Sequence, residues 1–198
     1  MCHTCDTVSR APRVPAAEAR RQIVEATGRL LRDRRFREVT VDDVMAEAGL
    51  SRTVFYRHFD GLPAVVVGLL DDLLAAIVAV ADEGDRESLR TQLAMVVRTF
   101  REHGPLLLAF DEAARLDPRV EDVYRAWFEH TVEVSAELIE RGVERGHTPP
   151  MPVRDVARAL TAMNGNYLLD LVARDPDFDE AAALEALWTV WSRTTWPT

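Results

Sequence analysis

Residues 40–59 read TVDDVMAEAGLSRTVFYRHF, and this stretch decides the fold. Thr40 and Asp43 have the spacing of a capping box, which predicts that a helix begins at Thr40. Gly49 suits the left-handed position that ends a helix. Ser51 is a favoured N-cap residue and predicts a further short helix that ends near Phe59. Two short helices joined by a glycine-containing turn form a helix-turn-helix.

The two faces of the second helix differ in chemistry. Val54, Phe55 and Phe59 have the spacing to face inward, whereas the polar residues Arg52, Thr53, Tyr56 and Arg57 take the opposite face. In a major groove, arginine pairs with guanine, threonine meets base edges, and tyrosine or histidine donates to phosphate. A plain helical hairpin with a solvated arginine face explains the same spacing, so that alternative stays open. The candidate DNA-binding residues are Thr40, Val41, Ser51, Arg52, Thr53, Tyr56, Arg57 and His58.

The charge is distributed unevenly along the 198 residues. The chain has a net charge of −9 and no lysine, so all 24 basic side chains are arginine. Residues 1–60 contain 11 arginines against 9 acidic residues, whereas residues 61–198 contain 13 against 24. This asymmetry indicates a basic contact module attached to an acidic body. Both cysteines lie within the first five residues, which excludes a disulfide scaffold and favours the reducing cytoplasm.

The apolar periodicity after residue 15 is helical and predicts an all-α fold of about nine helices. We expect a disordered tail over 1–15, a DNA-binding head over 16–62 and a body for effector binding and dimerisation over 63–198. The segment 62–81 has transmembrane length, but Asp71 and Asp72 at its centre would each cost about 2.5–3.5 kcal/mol in a bilayer, so it is interpreted as a core helix. The predicted helices are 16–35, 40–49, 51–59, 62–81, 87–102, 105–115, 117–145, 153–174 and 179–193.

The sequence VFYRHF at 54–59, preceded by Ile23, Ala26, Leu30, Leu31 and Phe36, resembles the TetR family of bacterial transcriptional regulators. This resemblance implies a homodimer whose paired heads bind a palindromic operator and leave it when a small apolar effector enters the body. The remainder of the chain is similar to the ethionamide-repressor subgroup. The residues that carry this second resemblance are 85–87, Thr99, Phe100, 144–146, Met163, Asn164, Trp188 and Trp191.

A lone amide in an apolar stripe suggests an effector pocket. Asn164 lies among apolar neighbours, so it either bonds a neighbouring helix or serves as a polar handle for a ligand. The resemblance implies the second role, because the matching asparagine of the subgroup holds polar ligand atoms. The subgroup has larger or more polar pocket residues at the positions of four members of the set, namely Leu89, Val96, Thr131 and Val134, so we expect a different pocket shape. The predicted pocket comprises Leu89, Val96, Phe100, Phe110, Tyr124, Trp127, Phe128, Thr131, Val134, Thr161, Asn164, Tyr167, Leu168 and Trp191.

The last two helices each show a continuous apolar face. Two such faces exceed what a helical hairpin buries by itself, and they predict a two-fold four-helix dimer interface, as the family resemblance also implies. The predicted interface residues are Val156, Leu160, Met163, Leu171, Leu184, Leu187 and Trp188.

The remaining signals argue against an enzyme. Cys2, His3 and Cys5 have metal-like spacing, but no second cluster supplies the four ligands that zinc needs, so we expect no metal or cofactor. Adjacent carboxylates on a helix point apart and make no acid/base pair. The sequence therefore predicts a cytoplasmic, nucleoid-associated, ligand-responsive repressor with double-stranded DNA as partner and no membrane contact. The alternative is a helical ligand-binding or scaffolding protein that does not read DNA sequence.

Overall fold

The computed structural model describes residues 15–78 and 86–196, with backbone only for 71–78. Within these ranges the regular structure is α-helical apart from one 3-10 turn, and no strand occurs there. The all-α prediction is therefore confirmed. The predicted tail, except Pro15, and the predicted helix end at 79–81 lie outside the described residues.

The N-terminal head contains three helices around its own small core. They are α1 (Ala16–Asp33), α2 (Val41–Ala48) and α3 (Arg52–Phe55), with the 3-10 turn Phe36–Glu38 between the first two. Ile23, Val44 and Phe55 are completely buried where the three helices meet. Burial of each such side chain contributes about 1.5–3 kcal/mol, which holds the short α3 in place despite its length.

The helix caps of the head agree in part with those predicted from the sequence. The Thr40 hydroxyl accepts from the Asp43 amide at 3.2 Å, and the Asp43 carboxylate accepts from the Thr40 amide at 2.8 Å, which confirms the capping box. Gly49 ends α2 at φ 67°. Ser51 occupies the N-cap position of α3 as predicted, but its hydroxyl accepts no helix bond, and the backbone bond from Val54 N to Ser51 O closes the first turn. Helix α3 also ends earlier than predicted, since residues 56–58 form a turn.

The body is built around one long central helix. Helix α5 (Arg86–Ala114) packs against α4 (Leu62–Val78), α6 (Pro118–Glu144), α7 (Val153–Arg174) and α8 (Glu180–Thr195). Asp117 and Asp179 cap α6 and α8 with side-chain bonds to the first-turn amides. The described residues thus contain eight α-helices.

The difference from the predicted nine lies at His103-Gly104-Pro105. The predicted break there was wrong, because α5 continues through Pro105. The glycine serves helix packing instead: a Cβ on Gly104 would lie 2.7 Å from both Cγ atoms of Val172 on α7. The close approach of two helices at this point requires glycine, and the packing that it permits maintains the helix across the proline.

Candidate DNA-binding surface and effector cavity

Helix α3 presents a polar surface that the rest of the protein leaves open. Phe55 and Phe59 are buried and anchor the helix, and the Arg20 guanidinium lies 4.9 Å from the centroid of the Phe59 ring. On the opposite side, Tyr56 is 52% exposed. The outward orientation predicted for this face is confirmed for the exposed side chains Arg52, Thr53, Tyr56 and Arg57.

Arg52 is held in position by two neighbours. Its guanidinium donates to both carboxylate oxygens of Asp42, at 2.9 and 2.8 Å, and to the Tyr56 hydroxyl at 3.3 Å. The bond to Tyr56 and the Asp42 charge together raise the pKa of Arg52. The side chain therefore stays charged and oriented, but the negative charge of Asp42 on α2 neutralises part of its positive charge.

The other predicted DNA-binding residues differ in their exposure and in their bonds to other side chains. Arg57 is exposed and makes no ion pair with any residue in the described ranges. His58 and Val41 are half-buried, and Ser51 is exposed. The Thr40 hydroxyl donates to Asp43 at 2.6 Å, so it is engaged in the cap of α2 rather than directed freely at a phosphate.

A cavity of about 280 Å³ lies in the body between α5, α6, α7 and Trp191 of α8. The structure brings eleven of the fourteen predicted pocket residues together around it. They are Leu89, Val96, Phe100, Tyr124, Trp127, Phe128, Thr131, Val134, Thr161, Asn164 and Trp191.

Three predicted pocket residues lie elsewhere. Phe110 is buried beneath the cavity wall, with ring centroids 5.4 Å from Tyr124 and 6.5 Å from Trp127. Leu168 is buried in the core and Tyr167 is half-buried, but neither lines the cavity. For Phe110 the physical reason is distance along the helix, since it is ten residues beyond Phe100, about 15 Å further along α5 at 1.5 Å per residue.

The sequence interpretation missed six lining residues: Gln92, Leu93, Ser135, Ala162, Gly165 and Asn166. Gln92 and Leu93 lie between the predicted positions 89 and 96 on α5, so the helical spacing contained a signal for them. Ala162, Gly165 and Asn166 are small or polar, and they carry no signal that distinguishes a cavity wall from a solvated helix face.

Asn164 bonds a neighbouring helix and also lines the cavity. Its Oδ1 atom accepts from Trp191 Nε1 at 3.0 Å, which joins α7 to α8. Ser135 and Thr161 form a second polar pair, 3.2 Å apart, that joins α6 to α7. The two polar atoms Gln92 Oε1 and Trp127 Nε1 are buried without a hydrogen-bond partner in the described part of the chain.

The predicted dimer residues divide into two groups. Leu160 and Leu187 are buried in the core of the protomer, 6% and 2% exposed, so assigning them to an interface was wrong: these positions point inward along their helices. The half-buried residues are Val156, Met163, Leu171, Leu184 and Trp188. The ring centroid of Trp188 also lies 5.3 and 5.2 Å from the Cζ atoms of Arg86 and Arg90, respectively.

The head packs on the body through α1 against α4 and α5, and Arg119 and Arg35 add polar contacts. Arg119, in the first turn of α6, donates to Asp60 at 2.8 Å, directly after the turn that follows α3. Arg35 of the head donates to the carbonyl of Ala173 near the end of α7 at 3.1 Å and lies 3.7 Å from Glu112 of α5. The same three helices, α5, α6 and α7, form walls of the cavity.

Within residues 15–78 and 86–196, no cluster of three or more potential metal ligands occurs. The Cys2–Cys5 segment lies outside these residues. No described helix has both the length and the apolar character that a membrane span requires.

A three-helix head with an open, arginine-bearing helix, joined to a helical body that contains an apolar cavity, defines a ligand-responsive helix-turn-helix regulator. Comparison with known proteins leads to the same class. The family profile "Bacterial regulatory proteins, tetR family" matches residues 23–61, and "Transcriptional regulator EthR, C-terminal domain" matches residues 89–196. The chain belongs to the TetR family of transcriptional regulators, a non-enzyme family, and its C-terminal domain is of the EthR type.

Individual relatives extend this similarity to most of the chain. The HTH-type transcriptional regulator EthR of Mycobacterium tuberculosis is 29% identical over 188 residues, which cover 89% of this chain and 87% of the relative. The fatty acid degradation regulator FadR from Bacillus halodurans has the same fold, with a TM-score of 0.71 at 15% identity, over 90% of this chain and 95% of that one. The Thermus thermophilus repressor FadR, solved in complex with lauroyl-CoA, has a TM-score of 0.61 at 25% identity and covers 86% and 92%.

Proposed function

We propose that this regulator is a homodimeric repressor that binds a palindromic operator and is released when a small, mainly apolar molecule enters the cavity of the body. The observation that carries the proposal is the combination of an open α3 face and an apolar cavity whose walls continue to the head. A repressor of chromosomal DNA acts in the cytoplasm, at the nucleoid.

Direct readout is assigned to Arg52, Thr53, Tyr56 and Arg57. Each arginine can pair with guanine O6 and N7, and a good base contact of this kind contributes about 1–3 kcal/mol of discrimination. Ser51 and His58 would contact the phosphate backbone, which positions the head without reading sequence. Thr40 and Val41 lie at the start of α2 and would approach the same backbone.

Dimerisation is assigned to the half-buried residues of α7 and α8: Val156, Met163, Leu171, Leu184 and Trp188. In a two-fold dimer these helices would form a four-helix interface, and the two heads would face successive major grooves about 34–36 Å apart. Effector binding changes this separation by shifting α4, which follows the head. Sedimentation at micromolar concentration tests the assembly, and a monomer there would contradict it.

The DNA-binding proposal is tested by fluorescence anisotropy with DNA from the region upstream of the protein's own gene. We expect the variants R52A and R57A to lose specific affinity by about 5- to 100-fold, in line with 1–3 kcal/mol per base contact. Arg125 provides the matched control, because it is equally exposed and ion-paired but lies on α6. Equal binding to random DNA, unaffected by both substitutions, would favour the alternative of a helical ligand-binding or scaffolding protein.

A further inference from the structure

The cavity contains no charged side chain. Of its seventeen lining residues only Tyr124 is ionisable, and burial raises the pKa of its phenol, so it stays neutral at physiological pH. A charged ligand would lose its hydration on entry and find no opposite charge, which is costly in an apolar site.

Most other polar groups of the cavity already have a partner within the protein. Thr131 donates to the Trp127 carbonyl at 3.0 Å and Asn166 to the Ala162 carbonyl at 2.8 Å. Ser135 bonds Thr161, and Asn164 accepts from Trp191, as described above. A ligand that addressed these groups would have to replace bonds that the fold already makes.

Two atoms stand apart from this pattern. Gln92 Oε1, on α5, is a buried acceptor without a donor, and Trp127 Nε1, on α6, is a buried donor without an acceptor. Leaving such a group unsatisfied destabilises the fold, and each unsatisfied group in a folded protein requires an explanation. Both residues line the same cavity, and their hydrogen-bonding characters are opposite.

We infer that the effector is an uncharged, mainly apolar molecule with both a hydrogen-bond donor and an acceptor, which bond Gln92 Oε1 and Trp127 Nε1 respectively. This inference rests on the proposed function, because it assigns the ligand class of the same cavity. The two bonds would join α5 to α6 through the ligand, and both helices continue to the contacts that Arg35 and Arg119 make between head and body.

The test uses probes of equal chain length, with binding to the full chain measured by calorimetry without DNA. Octanamide provides a donor and an acceptor at one end, whereas 1,8-octanediol has a hydroxyl at each end that both donates and accepts. Methyl octanoate provides acceptors only, and octanoate is charged. We expect a donor–acceptor probe to bind about 5- to 10-fold more tightly than methyl octanoate, the gain of one neutral hydrogen bond, and octanoate to bind most weakly.

Two variants test the roles of Gln92 and Trp127 separately. The Q92M variant replaces the acceptor with a side chain of similar size. The ratio of the affinities for a donor–acceptor probe and for methyl octanoate should then fall to near one. W127F removes the donor and weakens the acceptor-bearing probes, including methyl octanoate, by about 3- to 10-fold. L107M is the matched control, because Leu107 is buried on the same helix but outside the cavity, and its selectivity should equal that of the wild type.

A second readout distinguishes an anchor from a structural residue. We expect Q92M to raise the Tm of the ligand-free protein, since it removes an unsatisfied buried oxygen, whereas a structural role for Gln92 predicts a lower Tm. Tightest binding by octanoate, equal binding of octanamide, diol and ester, or no binding of any probe would each overturn the inference. Operator binding is measured separately, so these results would leave the repressor assignment intact.

Discussion

At the scale of single residues, the pairing of Arg52 with Asp42 bears on the strength of the proposed DNA contact. The exposed Asp42 carboxylate neutralises part of the charge of the arginine. We therefore expect Asp42→Asn to raise operator affinity by about 2- to 5-fold, as the loss of an exposed ion pair permits. The measurement is anisotropy at fixed salt, because affinities for DNA depend steeply on ionic strength.

The control for Asp42→Asn is Glu121→Gln, which removes an equally exposed partner of Arg125 on α6 and should leave operator affinity unchanged. Weaker binding by Asp42→Asn would contradict the expectation. It would mean that the carboxylate gains more operator affinity by orienting Arg52 for the groove than it loses by neutralising the charge of the arginine.

Asp43 gives the head a pH dependence of known sign. Its bonds from the Thr40 hydroxyl and amide, with a further bond from Arg34, lower the pKa of this carboxyl from 3.8 to about 2. A lowered folded-state pKa contributes stability above the unfolded value, and this stability is lost as the pH falls through the folded value. The advantage in Tm of the wild type over Asp43→Asn should thus be constant above about pH 4 and shrink toward pH 2.

The control for this titration is Gly165→Ala, which changes no ionisable group, so the Tm difference that it causes should not shrink in the same interval. A wild-type advantage over Asp43→Asn that persists at pH 2 would show that the capping box depends on shape rather than on the ionised carboxylate.

At the scale of elements, the contact between α5 and α7 depends on Gly104. A methyl group there would meet the side chain of Val172 at 2.7 Å. Overpacking of this kind costs about 1–3 kcal/mol, so Gly104→Ala should lower the free energy of unfolding by that amount. Chemical denaturation measures the loss, and the second substitution Val172→Ala should restore part of it.

Gly165 on α7 offers the matched comparison. A Cβ there would meet nothing within 4 Å, so Gly165→Ala should stabilise the protein by about 0.5–1 kcal/mol through helix propensity. If both glycine substitutions were equally harmless, α5 and α7 would have room to separate, and Gly104 would not be the reason why the helix continues through Pro105.

These elements also show where sequence reasoning works. The caps at Thr40, Asp117 and Asp179 were predictable, because a cap depends on residues two or three positions apart. The continuation of α5 through Pro105 was not, since it depends on Val172, a residue distant in sequence. The pocket shows the same limit: helical spacing assigns a residue such as Phe110 to a face, but it does not show how far along the helix a cavity extends.

At the scale of the whole molecule, we expect the contacts of Arg35 and Arg119 to contribute to the coupling of ligand and operator, beside the packing of α1 on α4 and α5. Both arginines join the head to helices that form walls of the cavity, so a change in helix spacing reaches the recognition helix through them. We expect the double variant R35A/R119A to bind octanamide as the wild type does. Octanamide should, however, change its affinity for the operator less than it changes that of the wild type. The ratio of operator Kd with and without octanamide should fall by about 2- to 10-fold relative to the wild type, since each exposed contact contributes up to about 1 kcal/mol.

Thermodynamic reciprocity makes this last expectation strict. If the probe weakens operator binding by some factor, the operator must weaken probe binding by the same factor, in the wild type and in the double variant alike. Arg115→Ala is the control, because its ion pair with Asp111 stays within α5 and joins no two parts of the molecule. An unchanged ratio in R35A/R119A would assign the coupling to the packing of the head on α4 and α5, whereas a reduced ratio in both directions requires that the Arg35 and Arg119 contacts transmit it.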